Sequence, residues 1–123
     1  MNVLLWILQI LLALVFLAVG GIKLARPKAA LLDRMGALAP FRPVTIKAIG
    51  LAEVLGGVGV VLPMLVGVAE GVVPWAALGL ACVMVGAAFT HANQGDYKPL
   101  AMHAVLLAMA VAVMVGRSAH LPL

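Results

Sequence analysis

Lys23, Glu53, His91 and His103 are ionisable side chains set inside long apolar runs, where a membrane would penalise each of them. An ammonium, a carboxylate and two imidazoles could form an ion pair, hold the polar head of a ligand, pass protons or bind a metal. Each falls near one end of a different apolar stretch. In a chain that runs up and down, all four ends lie on the same side. No His-x-x-x-His or Glu-x-x-His pair stands on any stretch, and such pairs are how helical bundles usually build metal sites, so no metal or haem is expected. No nucleophile accompanies the cluster, so no catalytic residue is expected. Two readings stay open: a polar cluster that binds a ligand, and a buried lock that fixes helix register.

The elements that must position these residues follow from composition. The chain has 123 residues, of which 66% are hydrophobic and 10% charged, with mean hydropathy +1.24. An ordinary soluble domain carries about 25% charged residues. A membrane-spanning helix needs about 20 mostly apolar residues, and the sequence predicts four, at 3–25, 45–63, 73–93 and 98–117. The runs are continuously apolar, unlike the alternating strands of a barrel. The first lacks the basic start of a signal peptide and is read as a retained helix. The expected fold is an all-α integral membrane four-helix bundle, one domain over 1–123. A short amphipathic interfacial segment, 28–39, joins spans one and two, with Leu31, Leu32, Met35 and Leu38 on one face.

Depth separates the four polar residues. Lys23 sits within about 4 Å of its helix end and can snorkel. Glu53 is roughly 12 Å deep, too far for its short side chain to reach water. It is therefore expected to pair with Lys23, directly or through His91. His103 is roughly 7 Å deep on the fourth span. Gly50, Gly56 and Gly57 flank Glu53 at helical spacing and are expected to leave room for a pocket. Small residues at Ala48, Ala52 and Gly56, and at Ala104, Ala108, Ala112 and Gly116, predict close helix approach. Gln9 is expected to hydrogen-bond a neighbouring helix. Cys82, the single cysteine, excludes an internal disulfide or CxxC pair and is expected to be a small packing residue.

Basic residues gather in the first connection as Lys23, Arg26, Lys28, Arg34, Arg42 and Lys47, opposed by Asp33, and Lys98 marks the third. The positive-inside rule then makes connections one and three cytoplasmic, with both termini outside. Arg117 is a lone opposing charge. Trp6 and Trp75 fall at the expected outer interface. The net charge of +4 is thus read as topology, with no nucleic-acid partner. Membrane lipids are the expected surroundings. A membrane or cytoplasmic partner protein and a homo-oligomer are both compatible with the sequence.

Gly20-Gly21-Ile22-Lys23-Leu24 closes span one, Gly50-Leu51-Ala52-Glu53-Val54-Leu55-Gly56-Gly57 runs to Leu62-Pro63, and Gly86-Ala87-Ala88-Phe89-Thr90-His91 leads to Gly95-Asp96 and Pro99. With Gly116-Arg117, this pattern resembles the DoxX-like family of small four-helix bacterial membrane proteins, over essentially the whole chain. The resemblance implies a multi-pass protein of the bacterial plasma (inner) membrane. It also implies association with membrane oxidoreductase assemblies, since the family takes its name from a subunit associated with a thiosulfate:quinone oxidoreductase. Distant relatives act as membrane chaperones. The expectation is an accessory protein whose intramembrane pocket takes a lipophilic ligand, a quinone or a lipid. It would be a non-catalytic subunit rather than an enzyme on its own, with an assembly factor as the alternative. His103 lies outside the resemblance and rests on depth alone.

Overall fold

The computed structural model describes residues 2–32, 36 and 39–118, and every regular element among them is helical. These are α1 (Asn2–Ala25), α2 (Lys28–Leu31), α3 (Pro43–Gly59), α4 (Leu62–Val66), α5 (Val72–Asn93) and α6 (Leu100–Ser118). Four stretches are long and apolar enough to cross a membrane: Asn2–Ala25, Pro43–Val66, Val72–Asn93 and Leu100–Ser118. The chain is an all-α membrane bundle. Large apolar side chains such as Ile7, Leu14, Leu55 and Val105 face outward, which suits lipid rather than water.

α1 stops at Arg26-Pro27, since the residue before proline is driven out of helical geometry. Its last carbonyls are then held from the next span: Lys47 Nζ donates to the carbonyls of Lys23 (2.6 Å), Leu24 (3.0 Å) and Arg26 (2.5 Å). Of the expected amphipathic segment, α2 is helical and Leu31 packs inward against Ile46. Asp33, Arg34, Met35 and Leu38 lie outside the described residues.

The second span is not the single helix expected over 45–63. Pro63 has no N–H to give the carbonyl of Gly59, so α3 ends there and Pro63 opens α4 instead of closing α3. Gly67, at φ 69°, then caps α4 through its N–H to the Pro63 carbonyl.

α1 packs against α3 and α5 against α6 as two hairpins. The hairpins meet most closely at the end away from Lys23. A Cβ on Gly56 would lie 2.5 Å from Leu80 Cδ2, one on Gly59 2.9 Å from Ala76, and one on Gly116 2.7 Å from Leu5. Val60, Val73, Ala77, Ala110 and Val113 are fully buried in this half. Backbone approach through small residues substitutes for the hydrophobic effect inside lipid. The expected stripes are corrected in part: Ala48, Ala52, Ala104, Ala108 and Ala112 face outward, and only Gly56 and Gly116 make close contacts. Cys82 is likewise exposed rather than packed in the core.

Gln9 joins the two halves of that far end, as its isolation in span one predicts. Its Nε2 donates to the carbonyl of Val60 at 2.5 Å, and its Oε1 accepts from Arg117 Nε at 2.8 Å. Arg117 Nη1 donates to Asn2 Oδ1 at 2.8 Å, and the guanidinium lies 5.7 Å from the Trp6 ring centroid, within cation–π range. Arg117, which the sequence shows only as a lone charge opposing the topology, is therefore a buried tie between α1 and α6.

Candidate functional site

At the opposite end, which carries Lys23, Lys47 and Lys98, the hairpins part. The arrangement starts from two glycines. A Cβ on Gly20 would lie 2.7 Å from the carbonyl oxygen of Gly50, so α1 and α3 touch backbone to backbone there. That contact sets Lys23 and Glu53 face to face, and Lys23 Nζ donates to Glu53 Oε1 at 2.7 Å. The two side chains are 11% and 1% exposed. The pair is direct; His91 does not mediate it.

A cavity of about 510 Å³ lies between the two hairpins beside this pair. Phe16 and Val19 of α1, Ile49 of α3, Met84 and Ala87 of α5, and Met102 and Leu106 of α6 form apolar walls, and Phe41 contributes from the linker. Lys23, Glu53, Thr90, His91 and His103 supply the polar lining. A mostly apolar wall with a few convergent polar groups is the usual make-up of a small-molecule site. The four residues singled out from sequence are thus brought to one cavity. Gly50, Gly56 and Gly57, expected to shape it, do not line it. Each is consumed by a helix contact, with Lys23 Cβ, Leu80 and Leu17 respectively.

The histidines are placed by the end of α5. Gly95 takes a left-handed conformation at φ 72°, its N–H bonds the carbonyl of Ala92, and Asp96 N–H bonds that of His91 at 2.9 Å. This is a Schellman ending with glycine at the required position, and it folds Asp96 back over the last turn. Asp96 Oδ2 then lies 3.0 Å from His91 Nδ1. His103, one turn into α6, stacks obliquely on His91 with ring centroids 4.9 Å apart and planes at 44°. It is 7% exposed and its Nδ1 has no hydrogen-bond partner. Thr90 Oγ1 donates to the carbonyl of Gly86 at 2.8 Å. Among the described residues, no three His, Cys, Asp or Glu side chains gather as a metal ion would need.

Asp96, Thr90 and Phe41 were not identified as site residues from the sequence. Asp96 had a readable signal: glycine-aspartate shortly after a helix-terminal histidine can return the carboxylate to that histidine. Phe41 had none, because its place depends on the path of the first connection, where Lys28 Nζ donates to the carbonyls of Ala39 (2.9 Å) and Phe41 (2.7 Å).

Four apolar spans around a polar-lined cavity define a multi-pass membrane protein. The family model described as the DoxX-like family matches residues 7–113, and the chain belongs to that family. Comparison with curated proteins and with solved structures gives no match.

Proposed function

We propose that this protein binds a lipophilic molecule with a polar head, a quinone or a lipid, in the cavity between its two hairpins. It would act as an accessory component of a membrane assembly rather than as an enzyme on its own. The observation that carries the reading is a cavity of about 510 Å³ that reaches Lys23, Glu53, His91 and His103 together. That volume is within the range of roughly 300–1,000 Å³ typical of ligand sites. A buried ion pair serving only as a lock needs no adjoining space. Here the lock and the space are neighbours: Gly20 and Gly50 seat the pair, and the cavity begins beside it.

On this reading the basic end of the bundle, near which the cavity lies, faces the cytoplasm of a bacterial inner membrane, as its lysines and arginines favour. The reading is tested by purifying the protein in mild detergent and analysing the extracted lipophiles by mass spectrometry. A stoichiometric quinone or lipid supports it. Ala87→Leu, which places a larger side chain on the cavity wall, should remove that molecule while the protein still folds. Loss of no species on Ala87→Leu, or recovery of bulk membrane lipid alone, counts against it.

A further inference from the structure

We infer that the cavity selects a ligand whose head carries an O–H group, a phenol, hydroquinone or alcohol, over one that offers only a carbonyl or ether oxygen. This deepens the reading of the cavity as a ligand site and rests on it. The argument begins with Asp96. A carboxylate is an acceptor only, so the 3.0 Å contact with His91 Nδ1 requires that nitrogen to carry the proton. In the neutral ring the other nitrogen, Nε2, is left with a lone pair. The Schellman turn at Gly95 locks this choice, because it fixes Asp96 above His91 through the backbone.

Two more lining groups add acceptors. Thr90 has already given its hydroxyl proton to the Gly86 carbonyl, which leaves its oxygen lone pairs. Among the described residues Glu53 accepts from Lys23 through Oε1, so its second oxygen is another acceptor. The ammonium of Lys23, the cation facing the cavity from α1, gives one of its three N–H groups to Glu53 at 2.7 Å, and a hydroxyl oxygen, which accepts as well as donates, can also meet the others. His103 from α6 stacks on His91 and has either tautomer open to it. A head that brings its own proton meets acceptors at His91, Thr90 and Glu53. A head with lone pairs only would leave them unpaired, and unpaired buried groups are what discriminate most strongly between near-identical ligands.

The test uses two probes of nearly equal size and lipophilicity, para-nonylphenol and its methyl ether para-nonylanisole. Each is titrated into the purified full-length protein in detergent, with partition into empty micelles subtracted, at a pH of about 8, above the ordinary imidazole range. The phenol should bind about tenfold more tightly than the ether, the scale of one well-made hydrogen bond. His91→Phe, which keeps an aromatic ring, and Asp96→Ala, which releases the tautomer, should each lower the ratio severalfold, with Thr90 and Glu53 left as the remaining acceptors. Equal binding of phenol and ether by the unmodified protein overturns the inference while leaving the pocket reading intact. So does a ratio that His91→Phe leaves unchanged. Binding of neither probe overturns the pocket reading, and this inference with it.

Discussion

Lys23 and Glu53 meet at 2.7 Å because Gly20 and Gly50 bring two helix backbones into contact one turn away. The ion pair and the glycine contact are one device. Neither helix could approach so closely with a side chain at those positions, and neither charge could stay inside without the other. Breaking a buried pair by removing one partner typically costs about 3–5 kcal/mol, whereas replacing both with apolar residues is often neutral. Glu53→Ala should therefore lower stability by about that amount, and Glu53→Gln by less, since the amide oxygen can still accept from Lys23. The double variant Lys23→Met with Glu53→Met should recover most of the loss. Thermal unfolding in detergent gives the order, and a double variant less stable than either single one contradicts it.

The glycine contact makes its own prediction. Gly20→Ala puts a Cβ 2.7 Å from the Gly50 carbonyl and 2.9 Å from Glu53 Cβ. Both obstacles are main-chain or main-chain-proximal atoms, so the helices must separate, at a cost of about 1–3 kcal/mol. Gly21→Ala, the next residue, meets nothing within 4 Å and should be neutral or slightly stabilising. Unfolding curves of the two variants should differ clearly; coincidence would remove the contact from the account.

Arg117 ties the ends of α1 and α6 through Gln9 and Asn2. Hydrogen bonds to charged groups contribute about 1.5–3 kcal/mol each. Gln9→Leu should be destabilising on that scale, because it leaves Arg117 Nε and the Val60 carbonyl without a partner. Arg117→Lys should not rescue Arg117→Ala, since an ammonium cannot reproduce the fork to two acceptors. A double-mutant cycle on Gln9 and Arg117 that returns no coupling would dissolve the tie.

How far the sequence was readable divides along physical lines. The spans were legible because twenty-residue apolar runs have few other fates. The Lys23–Glu53 pair was legible because a deep glutamate requires a partner. The roles of the small residues were not. A glycine at helical spacing from Glu53 fits equally well beside a cavity, a neighbouring helix or lipid, and only the turn of each helix decides. Gly50, Gly56 and Gly57 proved to be contacts, while Ala104 and Ala108 face outward. The tie made by Arg117 was not legible for a related reason. A cation at a helix end usually snorkels, and nothing local reveals that Gln9, 108 residues away in sequence, turns it inward.

Orientation is a separate expectation, resting on charge alone. With the Lys23–Lys47 connection cytoplasmic, both termini lie on the far side. A C-terminal alkaline-phosphatase fusion should be active and a C-terminal GFP fusion dark. The reverse pattern inverts the bundle and moves the cavity end to the other face.

The cavity and the glycine contacts can be separated by two substitutions of the same kind. Gly56→Leu must displace Leu80, whose Cδ2 lies 2.5 Å from the position of the new Cβ. The far end where the hairpins are joined would be forced apart, and the expected result is lower thermal stability whether or not a ligand is present. Gly86 lines the cavity, and a Cβ there meets nothing within 4 Å. Gly86→Leu should therefore leave stability unchanged or slightly raised, as alanine-like propensity replaces glycine's in a helix, while obstructing the space beside Thr90 and His91. The observable is the lipophile extracted per mole of folded protein. It should fall for Gly86→Leu and persist in whatever fraction of Gly56→Leu remains folded. If Gly86→Leu unfolds the bundle, or Gly56→Leu empties it without loss of stability, the division between a joined far end and an open cavity end is wrong.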